Sequence, residues 1–183
     1  MGQKKMMIVK ICVLCLCLGG LAQFDDEDAV AKFKIFKSYD RIHPGMELKI
    51  AVKATIKVLW HINSNEPSED YMIGTSVTTP EGGPFGLKEV FYPEPFELML
   101  GFSDSPMSVY EGEVFIGGAI SIPEDIELGE HRIPIHITYQ ACNDATCLPP
   151  RSVEKEILFV IVDGETPIKE MNKDIFAKLS ERN

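Results

Sequence analysis

Positive charge is scarce in this sequence. Its 183 residues contain 18 Lys and Arg against 28 Asp and Glu, which gives a net charge of −10. Proteins that bind nucleic acids or anionic membrane surfaces need a basic patch. The acidic balance therefore argues against both kinds of partner, and no nucleic-acid partner is expected. Hydrophobic residues make up 45% of the chain, enough for one full core without cross-links.

The chain also lacks a hydrophobic run of transmembrane length. The apolar run at 11–18 follows three lysines and precedes "GGLAQ". It is shorter than the roughly 20 residues that a transmembrane helix needs. A basic N-terminal region, a short apolar run and small residues near a cleavage site are typical of a secretory signal. We therefore expect residues 1–22 to be a signal peptide that is cleaved after Ala22. An uncleaved anchor is the alternative.

Cysteine becomes scarce once this segment is removed. Cys12, Cys15 and Cys17 leave with it, and the remaining chain keeps only Cys142 and Cys147. An even number of cysteines in an exported, oxidising compartment predicts a disulfide. The loop that it closes is very small, so the disulfide is expected to stabilise the fold by only about 2 kcal/mol.

The spacing of this pair leaves three interpretations open. A redox pair needs a disulfide that another protein's thiolate can reach, and a small loop at the end of a sheet suits that need. A local staple would only stiffen the loop. A structural zinc site needs four ligands, and no histidine lies within a few residues of the pair. Metal binding is therefore the weakest of the three interpretations, and no cofactor is expected. His61 is interpreted as a packed strand residue and His136 as a solvent-facing one.

Glycine, proline, asparagine and aspartate break the remaining chain into short β-branched and aromatic stretches. In "HRIPIHITYQA", every second residue from Ile133 to Tyr139 is large and hydrophobic, the period of a strand with one buried face. Such stretches without helical crossovers predict an all-β fold, an antiparallel immunoglobulin-like β-sandwich. The predicted strands are 33–38, 47–62, 71–79, 87–91, 96–100, 109–121, 133–141 and 153–162.

One short helix is predicted at the C-terminus. "ETPIKEMNKDIFAKLSERN" offers Thr166 as the N-cap and Pro167 at the first helical position. Apolar residues from Ile168 to Leu179 then fall on one helical face. This face either packs on the chain's own sandwich or docks a partner.

The segment around the two cysteines resembles a known family. "ITYQACNDATCLPP" is similar to the active-site segment of the N-terminal periplasmic domain of DsbD, the thiol:disulfide interchange protein. "VLWHINSNEP", "VFYPEPFEL" and "GFSDSPMSVYEGEVFI" resemble that domain's motifs in the same order. The resemblance covers residues 33–162. The best-known members have one more residue between their cysteines.

This resemblance implies an immunoglobulin-like domain at 23–163, followed by a helical tail at 164–183. It implies a periplasmic thiol-disulfide oxidoreductase in which Cys142 and Cys147 form the redox pair. By position, Cys147 forms the mixed disulfide with partners and Cys142 resolves it. The family covers its pair with an aromatic side chain, and "GFSDSPMS" makes Phe102 the candidate shield.

The resemblance also implies partners. The acceptors would be thioredoxin-fold periplasmic proteins of the disulfide-isomerase or cytochrome c maturation type. Nothing after residue 162 resembles the membrane or thioredoxin-like domains of DsbD, so a DsbD-type membrane electron donor is expected on a separate chain. The alternative is a secreted immunoglobulin-like binding module whose short disulfide is purely structural.

Overall fold

The computed structural model describes residues 29–180. The predicted signal peptide at 1–22 lies outside this range. The described chain forms twelve strands and one helix. In chain order these are β1 (Ala31–Lys37), β2 (Arg41–Ile42), β3 (Glu47–Ile56), β4 (His61–Asn63), β5 (Ser76–Thr78), β6 (Leu87–Phe91), β7 (Phe96–Leu98), β8 (Met107–Tyr110), β9 (Glu113–Ser121), β10 (Gly129–Tyr139), β11 (Ala141–Cys142), β12 (Arg151–Ile161) and α1 (Lys173–Ser180).

The described strands form three sheets of four. The first has the order β1-β3-β9-β6, the second β2-β12-β10-β5 and the third β11-β4-β8-β7. Neighbouring strands run antiparallel except β12 and β2, which pair in parallel. The third sheet continues the sandwich, because β11 follows β10 after one residue and β4 follows β3 after a short turn.

The main core lies between the first and second sheets. Ile133, Ile135, Ile137 and Tyr139 of β10 are all buried, as their alternation predicts. The ring of Tyr139 packs against that of Phe33 in β1, with centroids 5.1 Å apart. Each buried isoleucine of β10 contributes about 1.5–3 kcal/mol of hydrophobic stabilisation. The predicted antiparallel immunoglobulin-like sandwich is confirmed.

Two predicted strands are each divided in the structure. The stretch 47–62 breaks into β3 and β4 at a turn in which Leu59 has a φ of 69° and Trp60 N donates to Lys57 O. The stretch 109–121 breaks into β8 and β9 at Gly112, whose φ of 64° suits glycine. The first break leads the chain from the first sheet into the third, where the two cysteines lie, and the second break returns it from the third sheet to the first.

The predicted N-cap at Thr166 is wrong, because the helix begins at Lys173. The backbone N–H and hydroxyl of Thr166 both donate to Asp163 Oδ1, so its side chain serves a turn instead of a helix. The chain then runs beside the end of β1, where Met171 N donates to Ser38 O and Lys169 N donates to the Asp40 carboxylate. These bonds hold the intervening residues out of the helix.

The helix packs on the chain's own sandwich. The Leu179 side chain lies against Gly117 of β9, where a Cβ would stand 3.5 Å from a Leu179 methyl carbon. No residue of α1 is fully buried, so the helix covers the outer surface of the first sheet without entering the core.

Candidate functional site

Cys142 and Cys147 form a disulfide at the end of the third sheet, with Cα atoms 4.0 Å apart. Cys142 ends β11, and the two residues also face each other in an isolated antiparallel bridge. Both lie in the connection between β10 and β12, whose last register pair is Tyr139 with Arg151. The pair therefore lies in a small loop at the end of a sheet, the location that suits a redox pair.

The four residues between the cysteines, the intercysteine loop (143–146), are shaped by Asn143. Its Oδ1 accepts hydrogen bonds from Ala145 N at 2.9 Å and Thr146 N at 3.0 Å. Its backbone N–H donates to Thr146 O at 2.9 Å. An asparagine that binds the backbone two and three residues ahead forms a tight turn without help from other elements. Four intervening residues therefore suffice to bring the two sulfur atoms together.

A second hydrophobic cluster covers the disulfide. The third sheet turns Ile62, Tyr110 and Ala141 towards the main core. On its opposite face lies the outer cluster, which consists of Met72, Leu100, Met107, Val109 and Cys142, with Leu98 and Cys147 packed against it. The disulfide is thus part of a small apolar core of its own.

Burial is unequal between the two sulfur-bearing residues. Cys142 is 1% exposed, whereas Cys147 is partly exposed. The expectation of an exposed disulfide is therefore wrong for Cys142. Its position within a paired strand places it beneath the outer cluster, while Cys147 lies beyond the strand end. A partner's thiolate would reach Cys147 first.

The predicted shield residue, Phe102, lies in the cover loop (99–106), which follows β7. Its side chain is 44% exposed. The cover loop contacts the intercysteine loop through Gly101, where a Cβ would stand 2.9 Å from Asp144 O. Leu100, which is 1% exposed, is the residue of this loop that packs in the outer cluster with Cys142. The shielding role of Phe102 stays a prediction.

Sequence reasoning missed the covering position of Leu100. The signal was the apolar run "LML" before Gly101, which reads equally well as the end of a strand. Burial against a cysteine more than 40 positions away depends on how the third sheet pairs, and no local pattern reports that pairing.

The cover loop and the adjoining strand β8 are both hydrogen-bonded to the segment that follows β4. Ser105 Oγ donates to Glu69 Oε1 at 2.8 Å, and Ser108 N donates to Ser68 Oγ at 2.9 Å. Tyr110 Oη donates to Asn65 Oδ1 at 2.6 Å, and burial raises the pKa of Tyr110 to about 12. These bonds fix the loops that surround the disulfide.

Residues 29–180 contain neither a cluster of metal ligands nor a membrane-spanning helix. No group of three or more His, Cys, Asp or Glu side chains in this range is arranged to hold a metal ion. Within the same part of the chain, no helix has both the length and the apolar character needed to cross a membrane.

No known protein-family profile and no curated protein matches the sequence. Solved structures do match the fold. The N-terminal periplasmic domain of ScsB from Proteus mirabilis superposes with a TM-score of 0.54 at 11% identity, over 86% of this chain and 54% of that one. The fold is similar to that of the ScsB N-terminal domain. The chain spans about half the length of that ScsB structure.

Two further structures match less closely. The N-terminal domain of Neisseria meningitidis DsbD in its reduced form has a TM-score of 0.42 at 15% identity, over 74% of this chain and 89% of that one. AggA, a fimbrial major subunit from Escherichia coli, has a TM-score of 0.35 at 8% identity, over 72% and 95%. Only the ScsB structure supports a conclusion, and at 11% identity it establishes the fold alone. The ScsB structure confirms, as a likeness of fold, the predicted resemblance to a DsbD-type N-terminal domain.

Proposed function

We propose that this chain is a periplasmic thiol-disulfide interchange carrier whose redox pair is Cys142 and Cys147. The observation that carries the proposal is a small-loop disulfide at a sheet end with one buried and one partly exposed cysteine. It lies on a fold similar to that of the periplasmic N-terminal domain of ScsB. The small loop adds little stability, about 2 kcal/mol, so stabilisation alone is a weak reason for the bond.

In the proposed reaction, the Cys147 thiolate of the reduced carrier attacks one sulfur of an acceptor disulfide. This forms a mixed disulfide and releases the acceptor's other sulfur as a thiolate. Cys142 then loses its proton and attacks Cys147 Sγ, which closes the Cys142–Cys147 bond and releases the second acceptor sulfur. Two electrons pass from the carrier to the acceptor, and the two thiolates released take up two protons.

The proposed acceptors are thioredoxin-fold proteins of the disulfide-isomerase or cytochrome c maturation type. The proposed donor is a DsbD-type membrane thiol transporter or a thioredoxin-like protein that serves it. These assignments rest on the resemblance of the segment 139–150 to the family's active-site segment. The partly exposed Cys147 supports them, because exchange needs a sulfur atom that a partner can approach.

Trapping of mixed disulfides tests the proposal. The Cys142→Ser variant, expressed with export and quenched with acid, should accumulate mixed disulfides through Cys147 that cannot resolve. Non-reducing gels should show discrete bands that reductant removes, and mass spectrometry should identify thioredoxin-fold proteins in them. Cys147→Ser is the matched control and should give fewer bands. Absence of trapped partners in both variants would refute the carrier function.

A structural disulfide in a binding module is the second candidate function. The burial of Cys142 in the outer cluster favours it, because a buried sulfur resists exchange. The midpoint potential separates the two candidates. A carrier should equilibrate with couples in the thioredoxin range, whereas a structural disulfide typically lies below about −300 mV.

We further propose that residues 1–22 direct export, that the sandwich domain occupies 23–163 and that 164–183 form its tail. Mass spectrometry of the exported protein should find a mature N-terminus near Gln23. Retention of the full-length chain in the membrane would instead indicate an anchor.

A further inference from the structure

Three side chains form a row across the third sheet on the face that carries the disulfide. Cys142 of β11 is the register partner of His61 in β4. On the other side of β4, Ile62 pairs with Tyr110 and Asn63 with Val109. Continuing this antiparallel register places His61 opposite Glu111. Directly opposite residues point to the same face, with Cβ atoms about 4.5–5.5 Å apart. The order across the sheet is therefore carboxylate, imidazole, cysteine.

His61 is buried without a hydrogen bond. The residue is 7% exposed, and both ring nitrogens are buried with no hydrogen-bond partner. Its Nδ1 lies 3.7 Å from Glu111 Oε2, which is too far for a hydrogen bond. A buried polar group without a partner costs free energy, and each case in a native fold needs a physical reason.

The oxidised state of the pair supplies that reason. A disulfide sulfur carries no proton and is a poor acceptor. While the disulfide is intact, Cys142 therefore gives the imidazole of His61 no good hydrogen-bond partner. Reduction turns Cys142 into a thiol whose proton can bond to the imidazole. Because Glu111 lies on the Nδ1 side of the ring, Nε2 is the nitrogen left for the thiol.

We propose that His61 accepts the proton of the reduced Cys142 thiol and that Glu111 positions the imidazole and stabilises its charged form. This inference rests on the proposed carrier function, in which Cys142 must become a thiolate to resolve the mixed disulfide. The S–H bond of Cys142 breaks as an N–H bond forms on His61. The Cys142 sulfur then forms the bond to Cys147 Sγ, and the displaced acceptor sulfur leaves with the electron pair of the broken S–S bond.

The charges around the row suit this role. Glu111 faces His61 from the end of β8, and Cys142 faces it from β11. Asp144 lies in the exposed intercysteine loop. Negative charge from Glu111 makes an uncompensated Cys142 thiolate unfavourable, whereas a protonated imidazole between Glu111 and Cys142 offsets both negative charges.

The test measures alkylation of Cys142 by iodoacetamide as a function of pH in the Cys147→Ala background. Trypsin cuts after Arg132 and Arg151, so the peptide 133–151 reports Cys142 alone by mass spectrometry, even in the full-length chain. His61→Gln keeps a polar side chain of similar size that cannot take up a proton. We expect alkylation at pH 7 to fall about tenfold in His61→Gln, because the thiol loses the group that accepts its proton. The two rates should converge at pH 10, where the thiol ionises unaided.

Glu111→Gln tests the positioning residue, and its side chain is 53% exposed, so the fold should tolerate the change. It should shift the alkylation profile in the same direction by about threefold at pH 7, within the range expected for a partly exposed ion pair. His136→Gln is the matched control. It also removes a histidine paired with a glutamate, Glu154, but from β10 in the second sheet, and it should leave the profile unchanged.

The inference is overturned if His61→Gln follows the parental profile, or if its rate falls by the same factor at every pH, as a purely structural effect would. Circular dichroism establishes that each variant is folded. If His61→Gln does not fold, the Glu111→Gln variant alone tests the proposal. An unchanged pH profile of Cys142 alkylation in that variant overturns it. Failure of the trapping experiment with a normal His61 effect would refute the carrier function instead, since alkylation needs no partner protein.

Discussion

Gly101 lies against the carbonyl oxygen of Asp144, so close that a Cβ at position 101 would stand 2.9 Å from that oxygen. This is the point at which the cover loop contacts the intercysteine loop. The contact couples the shape of one loop to that of the other.

Gly101→Ala should force the two loops apart. Because the obstructing atom belongs to the backbone, the strain should cost roughly 1–3 kcal/mol of unfolding free energy. The disulfide should be reduced faster by dithiothreitol, since access governs exchange. Gly86→Ala is the control, because a Cβ there meets no atom within 4 Å. Equal reduction rates in the two variants would show that this contact does not limit access.

Two alanine variants can show whether Phe102 or Leu100 shields the disulfide. Phe102→Ala is predicted to speed reaction of the disulfide with small thiols and to change stability by less than about 1 kcal/mol, because its side chain is 44% exposed. Leu100→Ala should cost about 2–5 kcal/mol and also expose Cys142. Thiol reactivity is followed by mass spectrometry. Unchanged reactivity in Phe102→Ala alone would assign the shield to Leu100.

Reduction of the disulfide should leave the protein folded. The loop is small, so the loss of unfolding free energy should be about 2 kcal/mol or less. Urea denaturation with and without a phosphine reductant measures the difference. A reduced protein that is unfolded at room temperature would instead mark the bond as a structural staple.

Stability at alkaline pH should depend on Tyr110. Burial raises the pKa of Tyr110 to about 12 from the usual value near 10. The unfolded chain therefore releases this proton first, and stability falls as the pH rises through 10 towards 12. The loss from this group should reach about 1 kcal/mol by pH 11.

The variant Tyr110→Phe isolates that effect. Its unfolding free energy, measured by urea denaturation at pH 8 and pH 11, should not show the part of the alkaline decline that comes from Tyr110. The lost hydrogen bond to Asn65 should cost about 1 kcal/mol at both pH values. Tyr71→Phe serves as the control, because Tyr71 is 76% exposed. An alkaline decline in Tyr110→Phe as steep as that of the parent would contradict the assignment.

Local patterns predicted the strands of the main core well. The alternation from Ile133 to Tyr139 identifies the buried face of β10, and the stretch 87–91 matches β6 residue for residue. In these strands the burial of each residue follows from its position in a period of two. A sandwich is expected because several strands each have an apolar face, and two packed sheets bury these faces against one another.

Features that depend on distant partners could not be predicted from local patterns. Thr166 has the side chain of an N-cap residue, but its hydroxyl donates a hydrogen bond to Asp163, three residues earlier. His61 and Glu111 are 50 positions apart, and their approach depends on the pairing of β4 with β8. The burial of Cys142 likewise depends on which loop lies above it. In each case the deciding contact is between segments that the sequence does not place together.

The unequal burial of Cys142 and Cys147 has a regiochemical consequence. A disulfide is chemically symmetric, and thiolate attack can in principle displace either sulfur. Displacement is in line, so the nucleophile approaches one sulfur along the bond axis and the other departs. Here solvent reaches Cys147 and the outer cluster covers Cys142. In the proposed carrier, a donor's thiolate would therefore attack Cys147, and Cys142 would be the leaving group, whose negative charge would emerge inside the protein beside His61.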